Sequence, residues 1–265
     1  MLPHASEKVP GWLRARELAG RMLVALDFDG TLTPIVDRPD AVAMPEAGAA
    51  ALERLAARRD TLVAVVSGRG LADVEARVGV AGIYYVGNHG MEIRGPALTR
   101  VLDAAREARP RLAAAARELG DRIGGLPGVI LEDKTLTLSV HYRLAADEAA
   151  GATRDAVRAV ARDQRLRVTE GKKVLELRPD VDWHKGSAIR FLVDTVMSDA
   201  RGTVPVLFVG DDATDEDAFR EIRGWGDGVL VSPEPRETAA TSFVRSPVEV
   251  VELLERLANE AGQTG

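Results

Sequence analysis

The sequence predicts an α/β fold in which a parallel sheet carries helices on both faces and an α+β segment is inserted. Apolar strand-like runs alternate with helical stretches toward both ends of the chain, which is typical of such a sheet. In the middle, apolar and polar residues alternate strictly, which is typical of an antiparallel sheet with one polar face. The 265 residues could form one large domain or a core with an insert, and either would bury a substantial hydrophobic interior.

Five apolar runs are predicted to form the parallel sheet. These strands are Met22–Phe28, Leu62–Val66, Ile83–Gly87, Val204–Val209 and Gly228–Val231. The helices predicted between them are Pro45–Arg58, Leu71–Val78 and Thr214–Ile222. The first of these begins with a proline and an early acid and repeats leucine on one face, as a surface helix does.

The middle segment is predicted to have the order α-β-β-α-β-β. Its elements are a helix from Val101 to Leu119, strands Val129–Glu132 and Leu136–Tyr142, a helix over Asp147–Arg162, and strands Leu166–Thr169 and Lys173–Leu177. The predicted domains are therefore a core formed by residues 1–100 and 178–265, and an insert formed by residues 101–177.

The composition excludes several classes of function. A net charge of −6 and a pI near 5.4 argue against general nucleic-acid binding, which needs clustered Lys and Arg. Without an apolar run of about 18 residues or a secretory signal pattern, we expect a soluble, cytoplasmic monomer with no membrane partner. With no Cys and four scattered His, disulfides, thiolate nucleophiles and a zinc site are not expected.

Two of the predicted strands run directly into clusters of carboxylates. The first ends in Asp27 and Asp29 just before Gly30, and the second in Asp211 and Asp212. A lone Asp-x-Asp-Gly commonly just begins a loop. Two such strand ends, however, can share one divalent cation, because neighbouring carboxylates repel each other unless a positive charge lies between them.

A serine and a lysine accompany the acidic clusters. Ser67 ends another apolar strand, and Lys185 lies at the predicted start of a helix. Ser67 could merely satisfy a turn, and Asp182 could cap the helix so that Lys185 is an ordinary first-turn residue. A cation at a helix N-terminus opposes the helix dipole, which favours a functional role for Lys185. Asp215 could likewise only stabilise a helix N-terminus.

In this order, Asp-x-Asp-Gly-Thr, Ser, Lys-Gly and Gly-Asp-Asp resemble the motif series of haloacid dehalogenase-like phosphohydrolases. Within that superfamily, five segments are similar to the trehalose-6-phosphate phosphatase family. They are Leu32-Thr33-Pro34-Ile35, Ser67-Gly68-Arg69, Gly87-Asn88-His89-Gly90, Leu131-Glu132-Asp133-Lys134 and Gly210 to Asp217. The resemblance spans most of the chain and implies a Rossmann-like core with an inserted, mobile cap domain.

The resemblance also implies roles for the core residues. Asp27 would be the nucleophile that forms an aspartyl phosphate, and Asp29 the general acid and base. Mg²⁺ would be bound by the Asp27 carboxylate, the Asp29 backbone carbonyl and Asp211. The supporting or alternative ligands would be Asp212 and Asp215. Ser67 and Lys185 would hold the transferring phosphoryl group.

Substrate-binding residues are implied in both the cap and the core. In the cap, Glu132, Lys134, Lys172 and Glu176 would bind the glucose distal to the phosphate, and Arg143 is a further candidate. On the core side, the candidates are Gly68, Arg69, Asn88 and His89, although His89 could be only a turn residue. A solvated sheet face would equally explain the mixed charges of the cap.

The four motifs predict a phosphatase, and the resemblance implies that it is Mg²⁺-dependent and hydrolyses trehalose 6-phosphate, a small-molecule sugar phosphate. Alternatives are another sugar phosphatase, acting on sucrose phosphate or a mannosyl-phosphoglycerate, and a non-catalytic sugar-phosphate-binding regulator. A mutase that returns the phosphoryl group to the substrate would use the same nucleophile. Retention of Asp27, Asp29, Ser67, Lys185 and Asp211 argues against the regulator.

Overall fold

A computed structural model of the protein describes residues 2–36, 41–198, 204–234 and 236–259. Its helices are α1 (Ala5–Ala19), α2 (Glu46–Ala56), α3 (Leu71–Val78), α4 (Asp103–Ile123), α5 (Asp147–Asp163), α6 (Lys185–Val196), α7 (Ala213–Ile222) and α8 (Pro247–Asn259). Its strands are β1 (Met22–Leu26), β2 (Thr61–Val66), β3 (Tyr84–Gly87), β4 (Glu92–Gly95), β5 (Leu98–Val101), β6 (Ile130–Asp133), β7 (Leu138–His141), β8 (Leu166–Gly171), β9 (Val174–Pro179), β10 (Val206–Gly210), β11 (Asp227–Val231) and β12 (Ser242–Val244).

The main sheet has eight strands in the order β12-β11-β10-β1-β2-β3-β4-β5. Neighbours from β12 to β3 pair in parallel, and β4 pairs antiparallel to β3. The predicted α/β class with a parallel sheet is confirmed. The strands β4, β5 and β12, at or next to the edges of the sheet, were not predicted, since they have only four, four and three residues and lack long apolar runs.

Helices cover both faces of this sheet, and β1 shows how one strand serves two cores. Met22, Val24 and Leu26 point to a cluster built with α1, α2, α3 and α8. Leu23 and Ala25 point to a second cluster built with α6 and α7. Because successive side chains face opposite sides, a strand buried on both faces must be apolar throughout, and β1 is fully buried.

The first helix was not predicted, because Pro10 and Gly11 interrupt its helical pattern. In the structure, α1 nevertheless buries Val9, Trp12 and Leu13 in the core shared with α8. Tertiary burial of these three side chains outweighs the weak helix propensity.

Contacts divide the chain into two units, Met1–Arg100 with Trp183–Gly265, and Val101–Asp182. The second unit has an antiparallel sheet in the order β6-β7-β9-β8, and α4 and α5 cover one of its faces. Its elements follow the predicted order α-β-β-α-β-β. Since β9 continues to Pro179, the boundary predicted at residue 177 falls inside a strand.

Among the helices of the described ranges, none combines the length and the apolar character that crossing a bilayer requires.

Candidate active site

Three aspartates from two distant parts of the sequence meet at the carboxyl edge of the main sheet. Asp27, Asp211 and Asp215 each place a carboxylate oxygen within 4.8 Å of the other two. They meet because β1 and β10 are adjacent and parallel, so both strands end at the same edge. Ligand sites of open α/β sheets lie at this edge.

Gly30 allows the loop after β1 to approach Asp211 closely. Its φ of +82° lies in the left-handed region, and a Cβ at this position would overlap the Asp211 carboxylate. Beside it, the Thr31 hydroxyl donates to Asp211 Oδ1 at 3.4 Å. Glycine is therefore needed here both for its backbone conformation and for space.

Lys185 lies between two of the aspartates. Its Nζ donates to Asp27 Oδ1 at 2.6 Å and to Asp215 Oδ1 at 2.8 Å, and the side chain is buried. Lys185 is the first residue of α6, and the ring of His184 caps that helix by accepting the Ser187 amide hydrogen. The alternative in which Asp182 caps the helix is wrong.

Asp215 is fully buried and accepts hydrogen bonds through both carboxylate oxygens. Its Oδ2 accepts the backbone N–H groups of Asp211 and Asp212 at 2.9 and 3.0 Å, and its Oδ1 accepts from Lys185. Asp215 therefore both belongs to the acidic group and orders the start of α7. Asp212 is exposed and caps α7 by accepting from the Ala213 amide, outside the group of three carboxylates.

Burial and mutual repulsion dominate the electrostatics of this site. Burial, followed in size by the Asp215 charge, raises the pKa of Asp211 to about 7. Burial also raises the pKa of Asp27, opposed by Lys185 and reinforced by the carboxylates of Asp215 and Asp211. Burial alone would lower the pKa of Lys185, but Asp215 and Asp27 outweigh it and raise that pKa. The carboxylates therefore stabilise the Lys185 ammonium, and they also repel one another.

The Asp29 carboxylate is held by an arginine and lies outside the group of three. Arg69 Nε and Nη2 donate to its two oxygens, each at 2.7 Å. Arg69 also donates to Asp73 at 2.8 Å, so the guanidinium is anchored on α3. The acid–base role predicted for Asp29 stays a prediction, and its carboxylate is oriented by a residue predicted to bind substrate.

Ser67 is buried at the end of β2, against the turn formed by Asn88 and His89. The His89 amide donates to Ser67 O at 3.0 Å, and the Asn88 amide donates to Arg69 O at 2.7 Å. A Cβ on Gly68 would overlap the His89 ring. In the structure, the turn of residues 67–69 therefore packs against the turn that contains Asn88 and His89.

In the second unit, the polar face of the sheet gathers several of the predicted cap residues. Strand register aligns Glu132, Ser139, Glu176 and Thr169 in one row across all four strands. Lys134 Nζ lies 3.4 Å from Glu176 Oε1. Sequence analysis did not select Ser139 or Thr169, although period-two alternation places both on this face.

Two further ion and hydrogen-bond pairs lie on or near this face. His141 Nε2 lies 3.0 Å from Glu132 Oε2. The Arg143 guanidinium donates to the backbone carbonyl of Lys172 at 3.4 Å, at the turn between β8 and β9. Of the five predicted cap residues, Glu176 is on the inner strand β9 and Glu132 on the edge strand β6, while Lys134, Arg143 and Lys172 lie in segments that follow strands of this sheet.

A cluster of carboxylates at the carboxyl edge of a parallel sheet with helices on both faces defines the class of this protein. It is a haloacid dehalogenase-like phosphatase, as the motif order predicted. The Trehalose-phosphatase family matches this sequence over residues 25–247. The chain belongs to the trehalose-phosphatase family, and the predicted enzyme class, a phosphoric monoester hydrolase, is confirmed.

Relatives agree in sequence and in structure. A trehalose-phosphate phosphatase of Mycobacterium avium (strain 104) is 47% identical over 98% of this chain and 67% of its own length. A crystal structure of a trehalose-6-phosphate phosphatase related protein has a TM-score of 0.78 at 25% identity, covering 89% of this chain and 96% of its own. Trehalose-6-phosphate phosphatase of Aspergillus fumigatus has a TM-score of 0.67 at 27% identity, covering 98% and 99%.

Proposed function

We propose that this protein hydrolyses trehalose 6-phosphate to trehalose and phosphate. The observation that carries the proposal is the buried contact of Asp27 with Lys185 beside Asp211 and Asp215. A carboxylate in this position, at the end of a strand and next to a fixed cation, is suited to attack phosphorus. The substrate follows from the family and from the relatives named trehalose-phosphate phosphatase.

The acidic group fits a magnesium ion. When all three carboxylates are ionised, their three negative charges and the one ammonium leave two negative charges, which one divalent cation neutralises. All the donors are oxygens, as Mg²⁺ prefers. Asp27, Asp211 and the Asp29 backbone carbonyl would hold it, with Asp215 as an alternative ligand. When bound, the ion would offset the repulsion between these carboxylates and a dianionic phosphate.

In the proposed reaction, Asp27 attacks phosphorus as the bond to the sugar oxygen breaks, which gives an aspartyl phosphate. Protonated Asp29 gives its proton to the departing sugar oxygen and then takes one from the attacking water. Water oxygen bonds to phosphorus, and the Asp27 carboxylate is released. Ser67 and Lys185 donate hydrogen bonds to the phosphoryl oxygens. Since Arg69 engages both Asp29 oxygens, one of these bonds must open before Asp29 is protonated.

We also propose that the polar face of the second unit recognises the sugar. Glu132, Lys134 and Glu176 offer both donors and acceptors there. Arg143 and Lys172 are further candidates at the adjoining turn.

A phosphate-release panel tests the substrate. With Mg²⁺ present, we expect the protein to release phosphate fastest from trehalose 6-phosphate, ahead of glucose 6-phosphate, sucrose phosphate and mannosyl-phosphoglycerate. Preference for glucose 6-phosphate, sucrose phosphate or mannosyl-phosphoglycerate would contradict the trehalose assignment. An isomerised sugar phosphate would indicate a mutase. Binding of trehalose 6-phosphate without any turnover would indicate a regulator.

Glu132→Ala separates sugar recognition from phosphoryl transfer. We expect kcat/KM for trehalose 6-phosphate to fall about 10- to 100-fold and that for a small aryl phosphate to change less than about 2-fold, since a lost sugar contact leaves phosphorus untouched. The matched control is Glu170→Ala, because Glu170 pairs with Leu175 on the opposite, helix-packed face of the same sheet. Equal losses on both substrates would refute this division of roles.

A further inference from the structure

The side chain of Trp183 joins two parts of the first unit. Its Nε1–H donates to Gly90 O at 2.8 Å. The Arg100 guanidinium lies 5.0 Å from the centroid of the Trp183 ring and 4.0 Å from that of Phe191. A cation between two aromatic faces limits the rotation of the indole, so its N–H remains directed at the carbonyl.

On one side of this link is the turn that supports the serine motif. Asn88, His89 and Gly90 have φ values of +47°, +55° and +105°. Left-handed conformations are unfavourable for the first two and persist only where the surroundings hold them. The same turn donates backbone hydrogen bonds to the carbonyls of Ser67 and Arg69. Any shift of Gly90 would therefore be transmitted to the Ser67 backbone.

On the other side of the link is the lysine. Trp183 lies two residues before Lys185, and His184 between them caps α6. A Cβ on Gly90 would lie 3.0 Å from both Trp183 Nε1 and His184 O, so the turn and the start of α6 are in close contact. The indole bond thus connects the backbone that carries Ser67 to the backbone that carries Lys185.

We propose that Trp183 is a positioning residue that fixes Ser67 and Lys185 relative to each other. The inference rests on the proposed function only in that these two side chains hold the transferring phosphoryl group. Removal of the indole N–H leaves Gly90 O without this donor and lets the turn and α6 shift apart. Small displacements of groups that bind a transition state lower kcat, because the binding energy is realised only in the correct geometry.

The chain contains a matched control for this link. Trp225 donates its Nε1–H to Glu221 O, also at 2.8 Å, and the Arg190 guanidinium lies 4.8 Å from its ring centroid. Both tryptophans are partly buried. Trp225 precedes β11 at the amino edge of the sheet, whereas Trp183 contacts Gly90 in the turn after β3, at the carboxyl edge. At both sites the indole donates to a backbone carbonyl and lies against an arginine. The Gly90 carbonyl belongs to the turn that contacts the Ser67 backbone, whereas the Glu221 carbonyl lies near the end of α7.

The test compares Trp183→Phe with Trp225→Phe, since phenylalanine keeps an aromatic ring but loses the N–H donor and part of the indole, and both variants lose the same atoms. We expect both variants to lose similar thermal stability. Trp183→Phe should lower kcat about 10-fold on trehalose 6-phosphate and on a small aryl phosphate alike, with KM changed less than about 3-fold. It should also weaken binding of vanadate, a mimic of the phosphoryl transition state, by a similar factor in a thermal-shift titration. Trp225→Phe should leave kcat and vanadate affinity within about 2-fold of wild type.

Equal kcat and vanadate affinity in the two variants would overturn the positioning role. A kcat loss in Trp183→Phe that vanishes once activity is normalised to folded protein would also overturn it. If the wild type released phosphate from no ester, the proposed function would fail instead. The vanadate titration would then still decide the role of Trp183, because it requires no turnover.

Discussion

Aspartates at the carboxyl edge and at the amino edge of the main sheet have different surroundings and opposite pKa shifts. At the carboxyl edge, Asp27 and Asp211 follow β1 and β10; at the amino edge, Asp60 precedes β2 and Asp227 begins β11. All four are adjacent to an apolar strand. Their pKa values nevertheless shift in opposite directions, upward at the carboxyl edge and downward at the amino edge.

At the amino edge, each carboxylate has its own donors. Asp227 accepts from Lys8 at 2.5 Å, Thr241 at 2.6 Å and Trp12 at 2.9 Å. Burial alone would raise the pKa of Asp227, but these hydrogen bonds together lower it. Asp60 accepts two hydrogen bonds from Arg58, which lower its pKa against the effect of burial.

At the carboxyl edge, three carboxylates share one lysine. Lys185 reaches Asp27 and Asp215, while the Asp211 carboxylate accepts only a long hydrogen bond from Thr31 among the hydrogen bonds found in the described residues. This comparison teaches that Asp60 and Asp227, which have several donors each, are arranged to stabilise the fold, whereas Asp27 and Asp211, which have one donor each among the described residues, are arranged to bind a cation. The following predictions test that distinction, from the largest expected effect to the smallest.

Of these predictions, Asp27→Asn should have the largest effect. It should lower activity without lowering stability. We expect kcat for trehalose 6-phosphate to fall at least about 10³-fold, because a neutral amide is a poor nucleophile. The melting temperature should stay level or rise, since one member of a repelling group loses its charge. Activity near that of the wild type would remove Asp27 from its proposed role.

Magnesium should stabilise the carboxyl edge. At a concentration about 100 times its Kd, Mg²⁺ should add roughly 2.7 kcal/mol to the free energy of unfolding, read as an increase in melting temperature. Asp211→Ala should abolish most of that increase. Asp217→Asn is the control, because Asp217 is an exposed acid of α7 paired with Arg220. An increase that survives in Asp211→Ala would place the cation elsewhere.

Asp227→Asn should affect stability and leave catalysis unchanged. Loss of the charge weakens the hydrogen bonds from Lys8, Thr241 and Trp12, and we expect the free energy of unfolding to fall by about 1–2 kcal/mol. Chemical denaturation measures this change, while kcat should stay within about 2-fold of wild type. A large fall in kcat at unchanged stability would contradict the contrast between the two edges.

The amino edge should also contribute to acid sensitivity. The folded-state pKa values of Asp60 and Asp227 lie below their unfolded values, so their contribution is present above about pH 4 and is lost as the pH falls further. The stability difference between wild type and Asp227→Asn should therefore shrink below about pH 4 in melting temperatures measured over a pH series. A difference that grows on acidification would reverse the assigned sign.

Much of the core could be predicted from local pattern. The strands β1, β2, β3, β10 and β11 contain apolar runs because they are buried on both faces, and this is visible in sequence. The helix α1 and the edge strands escaped prediction because their order comes from tertiary burial and pairing. Thr169 and Ser139 escaped because a strand shows which side chains share a face but gives no sign of which strands are neighbours.

By itself, the sequence determined the fold class, the motif order and the identity of the acidic residues, because burial period and turn chemistry are local properties of the chain. Only the tertiary structure decided which acids share a site: Asp215 rather than Asp212 joins Asp27 and Asp211, and Arg69 engages Asp29. The physical reason is that strand order and helix packing set the distances between charges. Those distances fix whether a carboxylate is paired for stability or left to bind a cation.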